Sequence, residues 1–257
     1  MKTTIYTIPL IDAFNADDEC PFCYIERQLE QEAISFILGP AYMEADLHDE
    51  MDRLGCCRHH YKMMFDYGNQ LGIAIILETY YKKMNAQLKE EIQKFTPKKV
   101  SFLNKFKSVP DNIAEKTAET SIGQWIQNKE KSCYVCHHFQ TKYPRYLDTF
   151  LQMVVKDNDF RKLFQNSKGF CLHHFKDIVE AAEIKMSDSD KKDFYPQLFS
   201  LMETNMHRLE EDISWLVDKY DYRNKDADWK NSKDANQRGI QKIRGGYPAD
   251  PPFRKHI

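Results

Sequence analysis

Glycine is scarce in this chain, with nine among 257 residues, about half of the roughly 7% share in an average protein. A sandwich or barrel of many short strands needs frequent tight turns, and glycine supplies the backbone conformations for them. The shortage therefore argues against an all-β architecture. No run approaches the roughly 20 apolar residues that span a bilayer. The opening MKTTIYTIPLIDAFNADDEC also lacks the basic-then-apolar layout of an export signal. Net charge is nearly absent as well: 37 basic against 39 acidic side chains leave a formal charge of -2, giving no global attraction to nucleic acid or to an anionic membrane. These absences point to a soluble cytoplasmic protein. Its expected partner is another protein rather than nucleic acid or membrane.

What the chain does contain is seven cysteines, at positions 20, 23, 56, 57, 133, 136 and 171. An odd number in a chain without an export signal speaks against a disulfide framework, and spaced pairs in a reducing compartment are more often metal-binding or catalytic. The cysteines also disclose a repeat. Cys20-Pro21-Phe22-Cys23 is matched by Cys133-Tyr134-Val135-Cys136, and Gly55-Cys56-Cys57-Arg58-His59-His60 by Gly169-Phe170-Cys171-Leu172-His173-His174. The offsets are 113 and 114 residues. Self-similarity at a fixed period is the mark of a duplicated unit.

Each unit reads as helical. Leu77, Tyr81, Met84, Leu88, Ile92 and Phe95 recur at threes and fours, as do Leu198, Met202, Met206, Leu209, Ile213, Leu216 and Tyr220. Such stripes form the apolar face of a core helix. Tyr24 to Leu38 carries a similar face and stops at Gly39-Pro40, while Pro144 is expected in the first turn of a helix running on to Val154. Thr4 to Ile11 alternates loosely, which predicts one short strand. The expected domains are residues 1–110, 111–220 and an irregular tail, 221–257, packing its aromatics onto the helical body.

Each repeat carries two short hooks of metal-ligating type. Cys20 and Cys23 with Cys57 and His60 make one expected site; Cys133 and Cys136 with Cys171 and His174 make the other. Positions three apart on a helix share a face, so His60 and His174 are favoured over His59 and His173. A helix of about 12 residues out and another back would bring the hooks of one repeat together. Three thiolates and one imidazole suit a closed structural zinc site, giving two zinc ions per chain. Iron-sulfur ligation, or a thiol switch using Cys56, is the alternative. Cys133-x-x-Cys136-His137 also matches a c-type haem attachment motif, but the first repeat has Tyr24 in place of the histidine. No nucleophile and base stand at an informative spacing, so no catalytic role is expected.

At CPFCYIERQLEQEAISFILGPAYMEADLHDEMDRLGCCRHHYK, LGIAIILET, GFCLHHF and KYDYRNKDADWKNSKDA, the chain resembles the uncharacterised prokaryotic family of domain of unknown function 6062. Some members of that family are labelled as ABC transporter substrate-binding proteins. The likeness spans nearly the whole chain and implies a Cys-x-x-Cys then Gly-Phe-Cys-x-x-His pattern in each half. The chain departs from that pattern at Cys56, where phenylalanine is implied.

Overall fold

In the computed structural model, residues 4–97 and 116–246 are described. Residues 98–115, which span the expected boundary at 110, and the last residues of the tail lie outside them. The described residues form eleven α-helices and no strand. They are α1 (Thr7–Asn15), α2 (Pro21–Leu38), α3 (Ala45–Leu54), α4 (Arg58–Tyr67), α5 (Gln70–Lys94), α6 (Ser121–Lys131), α7 (Tyr134–Lys156), α8 (Asn158–Asn166), α9 (Leu172–Lys185), α10 (Asp188–Asp218) and α11 (Ala235–Arg244).

The strand expected over residues 4–11 is instead the start of α1. Thr7 accepts a hydrogen bond from the backbone of Thr4, and Pro9 falls in the first turn, where its missing N–H costs nothing. Leu10, Ala13 and Phe14 then share one buried face, a 3.6-residue period that the preceding alternation masked. Pro144 is likewise inside α7 rather than at its beginning. The helix starts ten residues earlier, at the Cys133 hook. The apolar stripe of α10 is core at Leu198, Met202, Leu209 and Leu216. That of α5 is not: Leu77, Met84 and Leu88 are half-buried and Tyr81, Ile92 and Phe95 exposed, and the buried large side chain of this helix is the neighbouring Ile76. Helices α3, α4 and α6 pack against α5, and His48 and Asp52 of α3 meet Thr79 in its N-terminal half at 3.1 and 2.9 Å.

The chain divides into two compact units that interleave along the sequence instead of following the expected 1–110 and 111–220 division. The first comprises the described residues up to Gln31 and those from Phe139 onward; the second lies within Glu32–His138. The first has an aromatic core centred on Phe150, whose ring lies 5.6–6.4 Å from those of Phe14, Phe22, Phe160, Phe164, Phe170 and Phe194. The core of the second is aliphatic, built from Ile34, Ile37, Leu38, Leu47, Met51, Met64 and Ile76.

The tail also departs from expectation. It contains α11, which packs on α9 and α10, and its aromatics are not what is buried. Tyr222 and Trp229 are exposed, while Ser232, Ala235, Gln241 and Lys242 are buried. Polar anchoring of this kind leaves no apolar stripe in the sequence.

Candidate metal centres

All four hooks are built alike. Cys20, Cys57, Cys133 and Cys171 stand immediately before α2, α4, α7 and α9, and their carbonyls accept the first helical bonds from Tyr24, Tyr61, His137 and Phe175 at 3.2, 3.0, 2.9 and 2.8 Å. That is the N-cap position. The second donor of each hook, Cys23, His60, Cys136 or His174, falls three residues on, over the same helix end. Free N–H groups and the positive end of the helix dipole favour thiolate there. At Cys171 the contact is direct, the sulfur accepting from the His174 backbone at 3.5 Å.

The structure pairs these hooks across the expected repeats, not within them. Site 1, in the first unit, gathers Cys20, Cys23, Cys171 and His174; site 2, in the second unit, gathers Cys57, His60, Cys133 and Cys136. All eight expected donors are used, but the expected combinations of Cys20 and Cys23 with Cys57 and His60, and of Cys133 and Cys136 with Cys171 and His174, are not formed. Spacing could not make this choice, because every hook offers equivalent geometry. Packing makes it. Phe22, inside the first hook, lies 5.9 Å from the ring of Phe170 and 5.8 Å from that of His174. At the matching positions of site 2 stand the smaller Val135 and Cys56, both in the aliphatic core. The crossed arrangement joins large with large and small with small, the volume matching that packed cores favour.

In site 1 the Nδ1 atom of His174 lies 3.3, 3.5 and 3.2 Å from the sulfurs of Cys20, Cys23 and Cys171, and the sulfurs of Cys23 and Cys171 are 3.7 Å apart. In site 2 the Nδ1 of His60 lies 3.1, 3.3 and 3.5 Å from Cys57, Cys133 and Cys136, with 4.0 Å between the sulfurs of Cys57 and Cys136. A tetrahedral ion with bonds of about 2.3 Å to sulfur and about 2.05 Å to nitrogen would set edges of roughly 3.8 Å (S···S) and 3.6 Å (S···N). Both sets come close to those edges, and either can hold one metal ion. All seven cysteines are free thiols.

Protons are shared unequally among these sulfurs. Hydrogen bonds to Cys171 and Cys20, and then burial, hold the Cys23 thiol far above its ordinary pKa. Cys171 is held low by hydrogen bonds from Cys20 and Cys23 against the opposing effect of burial. Burial pushes His174 down, but hydrogen bonds to Cys171 and Cys20 outweigh it and raise the imidazole to about 10. In site 2 a hydrogen bond from Cys56 is the main cause of a lowered Cys133, again against burial. Metal binding at either site therefore displaces protons.

The sites differ in cover. All four donors of site 1 are at most 2% exposed, whereas Cys57 and Cys136 of site 2 are half-buried. The neighbours His59 and His173 are exposed and belong to neither tetrad. Site 1 is also roofed by the end of α11, since a Cβ added at Gly245 would stand 3.5 and 3.6 Å from the sulfurs of Cys171 and Cys23. Lys242 holds that roof down, donating to the backbone carbonyls of Glu19 at 2.8 Å and Lys168 at 2.5 Å. The buried Glu19 carboxylate, next in sequence to Cys20, lies 2.6 Å from Arg208, 3.4 Å from Lys242 and 3.5 Å from Arg238. Sequence reasoning missed this ionic support. Its only local trace is the Gly245-Gly246 pair that closes α11, both residues at positive φ.

Fold and donor sets thus define a class, an all-helical protein with two Cys₃His clusters able to hold metal. The chain belongs to the Family of unknown function DUF6062, whose model matches residues 1–250. No curated protein and no solved structure matches it. Among the described residues no helix is long and apolar enough to cross a membrane.

Proposed function

We propose that the protein is a cytoplasmic zinc-binding interaction or scaffold protein, a duplicated helical chain whose two Cys₃His sites are structural and not catalytic. The observation that carries this reading is the mutual contact of the donors: in each tetrad all four donor atoms lie within 4.8 Å of one another. One ion holds four donors in that way. An iron-sulfur cluster distributes its ligands over separate iron atoms and requires them further apart, so the geometry favours zinc over the redox alternative. With four protein donors the tetrahedral shell is closed, leaving no position for a catalytic water. The duplication is supported by helix order, since α1–α5 and α6–α10 each run as a short helix, a helix behind Cys-x-x-Cys, a short helix, a helix behind Cys-x-x-His, and a long helix.

The test is to purify the protein without oxygen and to measure metal, acid-labile sulfide and the visible spectrum together. About two zinc ions per chain and no colour are expected. Brown protein containing sulfide would refute the reading.

A further inference from the structure

Site 2 has a fifth sulfur and site 1 does not. Cys56 takes the place that Phe170 holds beside site 1, and it sits in the second core with Cys133. Its thiol is not one of the four clustered donors, yet it packs against the core cluster that contains one of them, Cys133. Tyr61 and Tyr134 pack against the same core. Gly55, just before it, has φ +60°, and a side chain added there would run into the Tyr80 ring and hydroxyl, so the backbone from which Cys56 is presented needs glycine at that position. Solvent reaches this region, since Cys56, Cys57 and Cys136 are each only half-buried, unlike any donor of site 1.

We infer that Cys56 and Cys133 form an oxidisable dithiol pair, through which a peroxide opens site 2 while site 1 stays closed. The Cys56 sulfur, the more exposed of the two, gives up its proton and attacks one peroxide oxygen, the O–O bond breaks, and the departing hydroxide takes that proton to become water, leaving Cys56 as a sulfenic acid. The Cys133 sulfur then attacks the Cys56 sulfur. The new S–S bond displaces hydroxide, which leaves as a second water with the proton from Cys133. Two thiols and one hydrogen peroxide thus give one disulfide and two waters, the sulfurs losing two electrons. Cys133 is withdrawn as a donor, and Cys57, His60 and Cys136 alone make a weaker, open site. A thiol reductant reverses the step by exchange. The metal-release half of this inference rests on the zinc reading above, and the disulfide half does not.

The test treats the full-length protein, purified without oxygen, with hydrogen peroxide. Free zinc is read with a chromogenic chelator, and the cysteines are mapped by alkylation and fragmentation mass spectrometry without reduction. The expected result is release of one of two zinc ions, a disulfide joining Cys56 to Cys133, and recovery of the second zinc after reduction and resupply. Cys56→Ala, with Cys56→Ser beside it in case the smaller side chain loosens the core, should still bind two zinc ions and release the labile one at least tenfold more slowly. Release at the parental rate from both variants, a disulfide on other cysteines, or equal loss from both sites would overturn the inference. Protein purified without zinc would refute the metal reading instead, and the disulfide map alone would then decide this one.

Discussion

Replacing Cys57 with serine tests the crossing of the hooks directly. Cys57 lies in the first of the two expected repeats, yet its partners in the structure are Cys133 and Cys136 of the second, together with His60. Treating each metal as a cross-link, closure over the 79 residues from Cys57 to Cys136 restrains the unfolded chain by about 4.5 kcal/mol, and over the 148 from Cys23 to Cys171 by about 5 kcal/mol. Closure within one repeat, over the 35 residues from Cys136 to Cys171, would contribute about 3.8 kcal/mol. A gap of about 1 kcal/mol cannot identify the partners from stability alone, because closure entropy grows only with the logarithm of loop length. The pattern of newly reactive thiols can. Metal content should fall from two ions to one, and brief alkylation should label Cys133 and Cys136 while Cys20, Cys23 and Cys171 stay protected. Losing about 4.5 kcal/mol from a typical net stability of 5–15 kcal/mol should also open the second unit to protease. Labelling of Cys20 and Cys23, with Cys133 and Cys136 still protected, would refute the crossed arrangement.

Other perturbations follow from the same geometry. Glu19→Ala leaves Lys242 and Arg238 without their buried carboxylate, at a cost of about 3–5 kcal/mol, and a thermal melt of the metal-loaded protein should fall by roughly 10 °C; an unchanged melt would show that the network is dispensable. Phe150→Ala empties the centre of the aromatic core and should cost about 3–5 kcal/mol in chemical denaturation, with metal content at site 2 retained. Ending the chain after Tyr220 removes α11, so a chelator should strip site 1 faster by tenfold or more; chelation at the parental rate would show that α11 is no roof. Gly55→Ala forces a side chain into a positive-φ position and against Tyr80, a cost of about 1–3 kcal/mol. Competitive titration should then show weaker metal binding at site 2, with site 1 unaffected.

Much of the fold was legible because helices announce themselves locally. The stripe at Leu198, Met202, Leu209 and Leu216, the stop at Gly39-Pro40 and the exclusion of strands by glycine shortage all involve residues within a few turns of one another. The misreadings share a cause. The first helix was hidden by an apparent alternation that burial of Leu10, Ala13 and Phe14 overrode. The beginning of α7 was hidden because its first turns carry ligands and polar groups instead of a stripe. The tail was misjudged because Lys242, Gln241 and Arg238 are buried by hydrogen bonds and ion pairs, which no hydrophobicity pattern records. The outer half of the α5 stripe shows the converse, since apolar periodicity reports the capacity to be buried and not the presence of a partner.

By itself the sequence determined which atoms can ligate. A spacing of three residues sets both donors of a hook over the end of one helix, and this is local geometry, independent of the rest of the chain. It also determined that His60 and His174, and not their neighbours, share a face with the cysteines. Which hook meets which was decided only by the tertiary structure. Either Cys-x-x-Cys hook can complete a Cys₃His set with either Cys-x-x-His hook, and the alternative closures cost nearly the same chain entropy. The fit of Phe22 beside Phe170, and of Val135 in one core with Cys56, separates the two pairings, and that fit exists only once the cores are packed.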